Sequence, residues 1–393
     1  MSVKKHIPAI RFKGFSEEWA WLELGGLAEF NPKSELPDVF EYVDLESVIG
    51  TEMVSHREEN KKTAPSRAQR LARQGDLFYQ TVRPYQKNNY LFDEPYENFV
   101  FSTGYAQLRP NGNGNFLLSL VQNNRFVKSV LDNCTGTSYP AINSNTLADI
   151  KVSFPLNNEQ TQIGSYFQNL DKLISWHQAK VNKLVNLKKA MLEKMFPKNG
   201  ADLPEIRFKG FEGVWAEKEV STLLVERNTQ APKSDAYPLM AFVANVGVAP
   251  KGDRYNREFL VNDEENKKYK QTVLGDFIYS SNNLETGSIG LNNYQSASIS
   301  PVYSIFQPTE LGDSDFIGRL LIRKSFINQM VRWRQGVVYG QWRIHESDFL
   351  KIEVSFPKLP EQRKIGKYFK SLDKLIHLNQ SELDKLNNLK KPV

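Results

Sequence analysis

Asp93-Glu-Pro-Tyr96 is the first stretch whose residue types could do chemistry, because it approaches the Asp/Asn-Pro-Pro-Tyr loop of an adenine methyltransferase. The double proline is missing, because Glu94 stands at the first of its two positions. No Gly-rich loop after a strand is available to hold a methyl donor, so the stretch reads as a turn. A nuclease requires acids that converge on a divalent cation. Glu59-Asn-Lys61 with Pro37-Asp38 upstream could imitate such a site, yet Glu-Glu-Asn-Lys-Lys returns at 264–268 without a matching Pro-Asp. Walker-type Gly-Lys-Ser/Thr loops are absent. His6, His56, His177, His345 and His377 show no metal-ligand spacing. The expectation is a chain with no catalytic residues and no metal of its own.

Two pairs of polar loops remain. Arg83-Pro-Tyr85-Gln86-Lys87-Asn88-Asn89 follows a Gly75-Asp76 strand, and Ser280-Ser-Asn282-Asn283-Leu-Glu-Thr286-Gly287 follows Gly275-Asp276. Arg pairs with the guanine edge and Asn or Gln with adenine, each through two hydrogen bonds. Farther on come Thr135-Gly-Thr137-Ser138-Tyr139 leading to Asn143 and Asn145, and Arg332-Trp-Arg334-Gln335 leading to Tyr339, Gln341 and Arg343. Their basic, amide and aromatic mixture suits base and phosphate contacts together. Any single residue here could equally belong to a solvated loop. The signal is that the same two positions are polar and divergent in both copies of a repeat.

That repeat organises the chain. Pro8-Ala-Ile-Arg-Phe-Lys-Gly-Phe15 with Trp19 returns as Pro204-Glu-Ile-Arg-Phe-Lys-Gly-Phe211 with Trp215. Glu159-Gln160, Ile163-Gly164, Tyr166-Phe167 and Leu170-Asp-Lys-Leu-Ile174 return as Glu361-Gln362, Ile365-Gly366, Tyr368-Phe369 and Leu372-Asp-Lys-Leu-Ile376. Val152-Ser-Phe-Pro155 likewise matches Val354-Ser-Phe-Pro357, and Ile142 matches Ile344. One architecture is duplicated while its two globular parts differ.

Residues 159–196 read as a helix with a heptad seam: Ile163, Phe167, Leu170, Ile174, Val181, Leu184, Met191 and Met195, interrupted by His177 and Lys188. The second copy places Phe369, Leu372, Ile376, Leu383 and Leu386 alike, interrupted by Asn379 and Lys390. Polar seam residues fix register and partner, so the two helices are expected to pair with each other. The alternative is two amphipathic helices, each packed on its own domain. A helix of about 37 residues is roughly 55 Å long and carries the chain away from the first globular region, so its partner must run back. The pair is then antiparallel, and residues 8–19 follow the second helix in space as 204–215 follow the first in sequence. The expected molecule is nearly twofold, with a domain at each end of a rod. The expected divisions are 1–158 and 200–360 for the recognition domains, with 159–199 and 361–393 for the helices.

The globular regions read as mixed and strand-rich, with alternating or β-branched runs such as Asp76–Val82 and Asp276–Tyr279 split by Gly, Asn and Pro turns. The fold class expected is α+β. A length of 393 residues accommodates two cores, and 40% hydrophobic composition is ordinary for globular domains. A formal charge of +6, from 51 basic and 45 acidic residues, mildly favours an anionic partner. The single Cys134 excludes an internal disulfide, and Met1-Ser-Val-Lys-Lys-His lacks the apolar run of a signal peptide. A cytoplasmic protein that does not cross a membrane is expected.

The repeated Ile-Arg-Phe-Lys-Gly-Phe, the Gly-Asp strand, Val-Ser-Phe-Pro, and Glu-Gln-x-x-Ile-Gly-x-Tyr-Phe-x-x-Leu-Asp-Lys-Leu-Ile followed by Leu-Lys-Lys together resemble the specificity subunit of type I restriction-modification systems. In the first copy the run continues to Met195-Phe-Pro197. The resemblance covers essentially the whole chain. It implies two target recognition domains that each read half of a bipartite site on double-stranded DNA. It also implies helices that act as a ruler and hold two methyltransferase subunits, to which restriction subunits attach. It implies a subunit without chemistry that binds no cofactor, S-adenosylmethionine, ATP and Mg belonging to its partners. The second helix departs from the pattern by stopping at Lys390-Lys-Pro-Val393. The other readings are the recognition region of a fused restriction-methylation enzyme, which would need several hundred more residues, and a stand-alone DNA-binding protein.

Overall fold

A computed structural model describes residues 8–136, 138–198, 201–250, 267–337 and 341–390. The fold is α+β, and the chain divides into a first unit of 1–178 with 382–393 and a second of 179–381.

In the first unit, one four-stranded sheet runs in the order Arg57–Asn60, Val39–Val43, Phe99–Ser102, Ala68–Leu71, and another in the order Ala28–Phe30, Tyr105–Pro110, Leu77–Gln80, Tyr90–Leu91. Helices α1 (Gly114–Gln122), α2 (Asn124–Leu131) and α3 (Ser144–Ala148) follow, and then the long α4 (Asn157–Lys194). Successive side chains of a strand point to opposite faces. Leu77 and Tyr79 therefore join a core with Leu117, Val130 and Leu147, whereas Phe78 between them joins Phe92, Phe101 and Tyr105. Covered on both faces, Leu77–Gln80 is buried throughout. The second unit repeats this around Phe277–Tyr279: Phe277 and Tyr279 enter one core, Ile278 another. Its helices are α5 (Ser314–Leu320), α6 (Lys324–Arg332) and α7 (Glu346–Leu350), followed by α8 (Leu359–Lys390), whose residues from 382 on belong to the first unit just as those of α4 from 179 on belong to the second.

Two residues before each central strand stands a glycine in the left-handed region, Gly75 at φ +89° and Gly275 at φ +90°, which L side chains rarely adopt. The aspartate after it is buried and paired with an arginine from a neighbouring segment. Asp76 accepts two bonds of 2.9 Å from Arg109, and Asp276 meets Arg227 at 2.8 Å. Burial pushes the Asp276 carboxyl above its ordinary range against the opposing pull of the Val273 amide and Arg227.

The repeated termini form one clasp in each unit. Arg11 forks onto Glu159 with two bonds of 2.6 Å, and Arg207 onto Glu361 with two of 2.7 Å. Phe12 lies edge-on to Tyr166 and Phe208 to Tyr368. The adjacent glutamines are buried and each donates 2.9 Å to the proline carbonyl that ends Val-Ser-Phe-Pro, Gln160 to Pro155 and Gln362 to Pro357. Gly164 lies against Asn113, the N-cap of α1, and Gly366 against Asp313, the N-cap of α5.

The helices are antiparallel within each unit. In the first, Asp171 of α4 pairs with Lys390 at the end of α8. In the second, Lys188 meets Asp373 at 2.5 Å, and Phe196 packs on Phe369. The seam lysines thus reach the aspartate of the repeated Leu-Asp-Lys-Leu-Ile. Leu170, Val181, Phe369, Leu372 and Leu383 are buried, and Phe167, Ile174, Leu184, Ile376 and Leu386 half-buried. Asn379 is buried as well and donates 2.7 Å to the Leu375 carbonyl of its own helix. Met195 departs from the expected seam. The helix ends at Lys194, because residues before a proline avoid helical geometry, and Met195 and Phe196 enter the second unit's core beside Trp215. No helix among the described residues is long and apolar enough to cross a membrane.

Candidate nucleic-acid interface

In each unit the two polar loops converge at the far end of the central strand. In the first, the Arg83 amide donates 2.7 Å to the Pro140 carbonyl and the Ile142 amide 3.0 Å to Thr81. The Arg83 guanidinium stacks 4.4 Å above the Tyr139 ring. In the second, the Ile344 amide donates 3.0 Å to the Ser281 hydroxyl and the Trp342 amide 2.6 Å to the Asn282 side-chain oxygen. Ile142 and Ile344, matched in the repeat, are thus the buried anchors that tie loop to loop.

Between the loops of the first unit, Pro84–Gln86 makes a single 3₁₀ turn. Proline presets the φ that such a turn needs. Tyr85 crowns it at 50% exposure, and Tyr139 is 63% exposed. The Gln86 side-chain oxygen accepts 2.9 Å from Gln80 Nε2. Asn88 is half-buried, its oxygen accepting 2.8 Å from the Gly50 amide. Ser138 and Asn145 are exposed. Thr137 lies outside the described residues.

At three of the expected positions the side chain is engaged within the protein. Asn89 is 1% exposed, and its oxygen accepts 2.9 Å from the Gln80 amide, so it braces the loop from inside. The Asn143 oxygen accepts from Thr146 at 2.8 Å and caps α3. Asn is strongly preferred there because its carbonyl satisfies an orphan helix amide. The Arg334 side chain is 9% exposed and bridges the loops of the second unit, donating 3.0 Å to the Ser281 carbonyl and 2.9 Å to Glu285. Asn89 and Arg334 are thus turned inward, whereas Asn143 stays exposed with its oxygen engaged in the cap.

The second polar stretch of the second unit is a hairpin, Gln335–Val337 against Gln341–Arg343, and Tyr339 lies outside the described residues. Gln335 is exposed, and Gln341 opens the returning strand. Arg343 is largely exposed, 3.8 Å from Glu346. Asn282, Asn283 and Thr286 are exposed, with the Thr286 hydroxyl turned back onto the Asn283 carbonyl at 3.1 Å. Trp342, 48% exposed between Gln341 and Arg343, was not among the expected site residues. Its flanking polar residues in a short alternating run are the signal that marks it. A loop edge that mixes displayed aromatic rings, arginine and amides can stack on bases and hydrogen-bond their edges.

Two copies of a strand-rich domain, alike in framework and unlike in their loops, define a duplicated recognition module. The chain belongs to the type I restriction modification DNA specificity domain family, whose description matches residues 17–186 and 219–388. It is 26% identical over 273 residues to the type I restriction enzyme MjaVIII specificity subunit of Methanocaldococcus jannaschii, covering 66% of this chain and 63% of that protein. It is 24% identical over 162 residues to the type I restriction enzyme HindI specificity subunit of Haemophilus influenzae, covering 39% of this chain and 35% of that one. The chain thus spans less than two thirds of these curated relatives. Its fold is similar to the crystal structure of the type I restriction-modification system S subunit from M. genitalium, with a TM-score of 0.62 at 14% identity over 99% of this chain and 97% of the other.

Proposed function

We propose that this chain is the DNA-recognition subunit of a type I restriction-modification complex, each recognition domain reading one half of a bipartite site on double-stranded DNA. The observation that carries the reading is the repeated construction itself. The same anchors, Ile142 and Ile344, join two loops in each unit, and the side chains on those loops differ. A common frame with divergent polar loops suits two different half-sites. Arg83, Tyr85, Gln86, Asn88 and Tyr139 are the reading candidates of the first unit, and Asn282, Asn283, Gln341, Trp342 and Arg343 those of the second.

In this reading the paired helices set the spacer and hold two methyltransferase subunits, and restriction subunits join to cleave. The subunit itself is non-catalytic and works in the cytoplasm. S-adenosylmethionine, ATP and Mg serve the partner subunits. The test is methylation in vitro. The protein alone should leave DNA unmodified, and with the methyltransferase subunits and S-adenosylmethionine it should methylate adenine at a split motif found by sequencing. A homogeneous preparation that methylated DNA unaided would overturn the assignment.

A further inference from the structure

Lys87 is a lysine on a reading loop, and the sequence reading makes it a DNA contact. Its surroundings give it another task. Its ammonium donates 2.9 Å to the Gln122 carbonyl and 2.5 Å to the Asn124 side-chain oxygen, while Gln122 Nε2 returns 2.9 Å to the Lys87 carbonyl. Gln122 is the last residue of α1, where carbonyls lack an intrahelical donor and the helix dipole favours a cation. Two of the three ammonium hydrogens are thereby engaged inside the protein, leaving little for a phosphate. Burial also lowers its pKa.

The backbone gives a second, independent sign. Arg83 at φ +53° and Lys87 at φ +57° flank the turn in left-handed geometry. The other non-glycine residues in that region, among those described, are Asn31 and Asn245, whose side-chain type tolerates it. The corresponding loop of the second unit ends instead on Gly287 at φ +93°. Strain at two basic residues persists only where the surroundings over-determine it. Here they are the Arg83–Tyr139 stack at one end and the Lys87–Gln122 clasp at the other.

We infer that Lys87 is a positioning residue: its reciprocal clasp with Gln122 holds the Arg83–Lys87 turn in one strained shape, and so sets the sequence discrimination of that half-site without contacting phosphate. The inference rests on the proposed DNA-reading role. The experiment uses the full complex with methyltransferase subunits. Binding is measured by fluorescence anisotropy on the cognate duplex and on duplexes scrambled in one half-site or the other, across a salt series. Lys87→Met keeps the stem and removes the ammonium, and Gln122→Leu breaks the clasp from its far side.

Both variants should lose discrimination at one half-site by about tenfold, on the order of one good base contact, and keep it at the other. The double variant should be no worse than either single one, and the slope of log affinity against log salt should stay that of the wild type. A slope reduced by about one in Lys87→Met, with discrimination intact, would make Lys87 a phosphate contact and overturn the inference. So would a silent Gln122→Leu, the variant that also decides the matter if Lys87→Met does not fold. A wild-type complex without discrimination at either half would instead overturn the proposed function.

Discussion

Gly164 and Gly366 occupy helix interiors, where alanine is intrinsically better by about 1 kcal/mol. Tertiary packing reverses that preference. A Cβ on Gly164 would lie 2.2 Å from the Asn113 side-chain oxygen and 2.8 Å from the Phe116 amide nitrogen, the two partners of the α1 cap. Losing a cap costs about 1 kcal/mol and overpacking 1–3 kcal/mol more, so Gly164→Ala should destabilise by about 1–3 kcal/mol net. Urea unfolding checks it, and an alanine variant as stable as the wild type would show that α1 yields freely. The same reasoning at Gly366, 2.5 Å from the Asp313 oxygen, explains why Ile-Gly recurs after each Glu-Gln. The Arg-Phe-Lys-Gly-Phe motif has an equally local cause, since its arginine forks onto the glutamate of that Glu-Gln and its first phenylalanine meets the tyrosine two residues beyond the glycine.

At the scale of elements, the helices carry the most specific chemistry outside the loops. The seam lysines, which interrupt the apolar pattern, are matched to aspartates on the opposing helix: Lys390 with Asp171 in one unit, Lys188 with Asp373 in the other. The pairs are half-buried at the helix surface and still reached by solvent, where ion pairs contribute little stability, so their value lies in specifying register. If the helices are the ruler, their length sets the spacer of the DNA site. One heptad adds about 10.5 Å at 1.5 Å per residue, close to three base pairs. Seven residues inserted after Lys183, with seven more after Lys385, keep both seams in phase. The expected product is methylation of the same two half-sites with a spacer about three base pairs longer. Inserting three or four residues should rotate the seam and impair folding. A paired insertion that stays active with an unchanged spacer would reduce the helices to connectors.

For the whole molecule, the separate cores of the two units predict separable specificity. The strand Phe277–Tyr279, its loops and α5 to α7 form their own framework, closed by the ribbon Ala216–Glu219 with Glu353–Phe356. Replacing residues 216–355 with the equivalent domain of a relative should therefore change one half of the methylated motif and leave the other. Sequencing the methylated DNA reads the outcome. A simultaneous change in both halves would mean that the recognition surfaces are coupled.

The sequence by itself determined the duplication, the α+β class and the seam. Phe167, Leu170 and Ile174, or Phe369, Leu372 and Ile376, reveal a helix face through spacing alone, because 3.6 residues per turn is a property of the local backbone. It also located the loop pairs, since Gly75-Asp76 and Gly275-Asp276 mark the strands before them. Only the tertiary structure decided which loop side chains are available. Asn89, Arg334 and Lys87 look like base or phosphate readers as residue types, yet each is engaged by groups that the sequence does not place beside it: the Gln80 amide, the Ser281 carbonyl and the Gln122 carbonyl. A polar side chain in a loop turns inward wherever folding brings it an unsatisfied backbone group, because leaving such a group buried and unpaired costs about 1–3 kcal/mol. That choice depends on residues distant along the chain, and no local pattern records it.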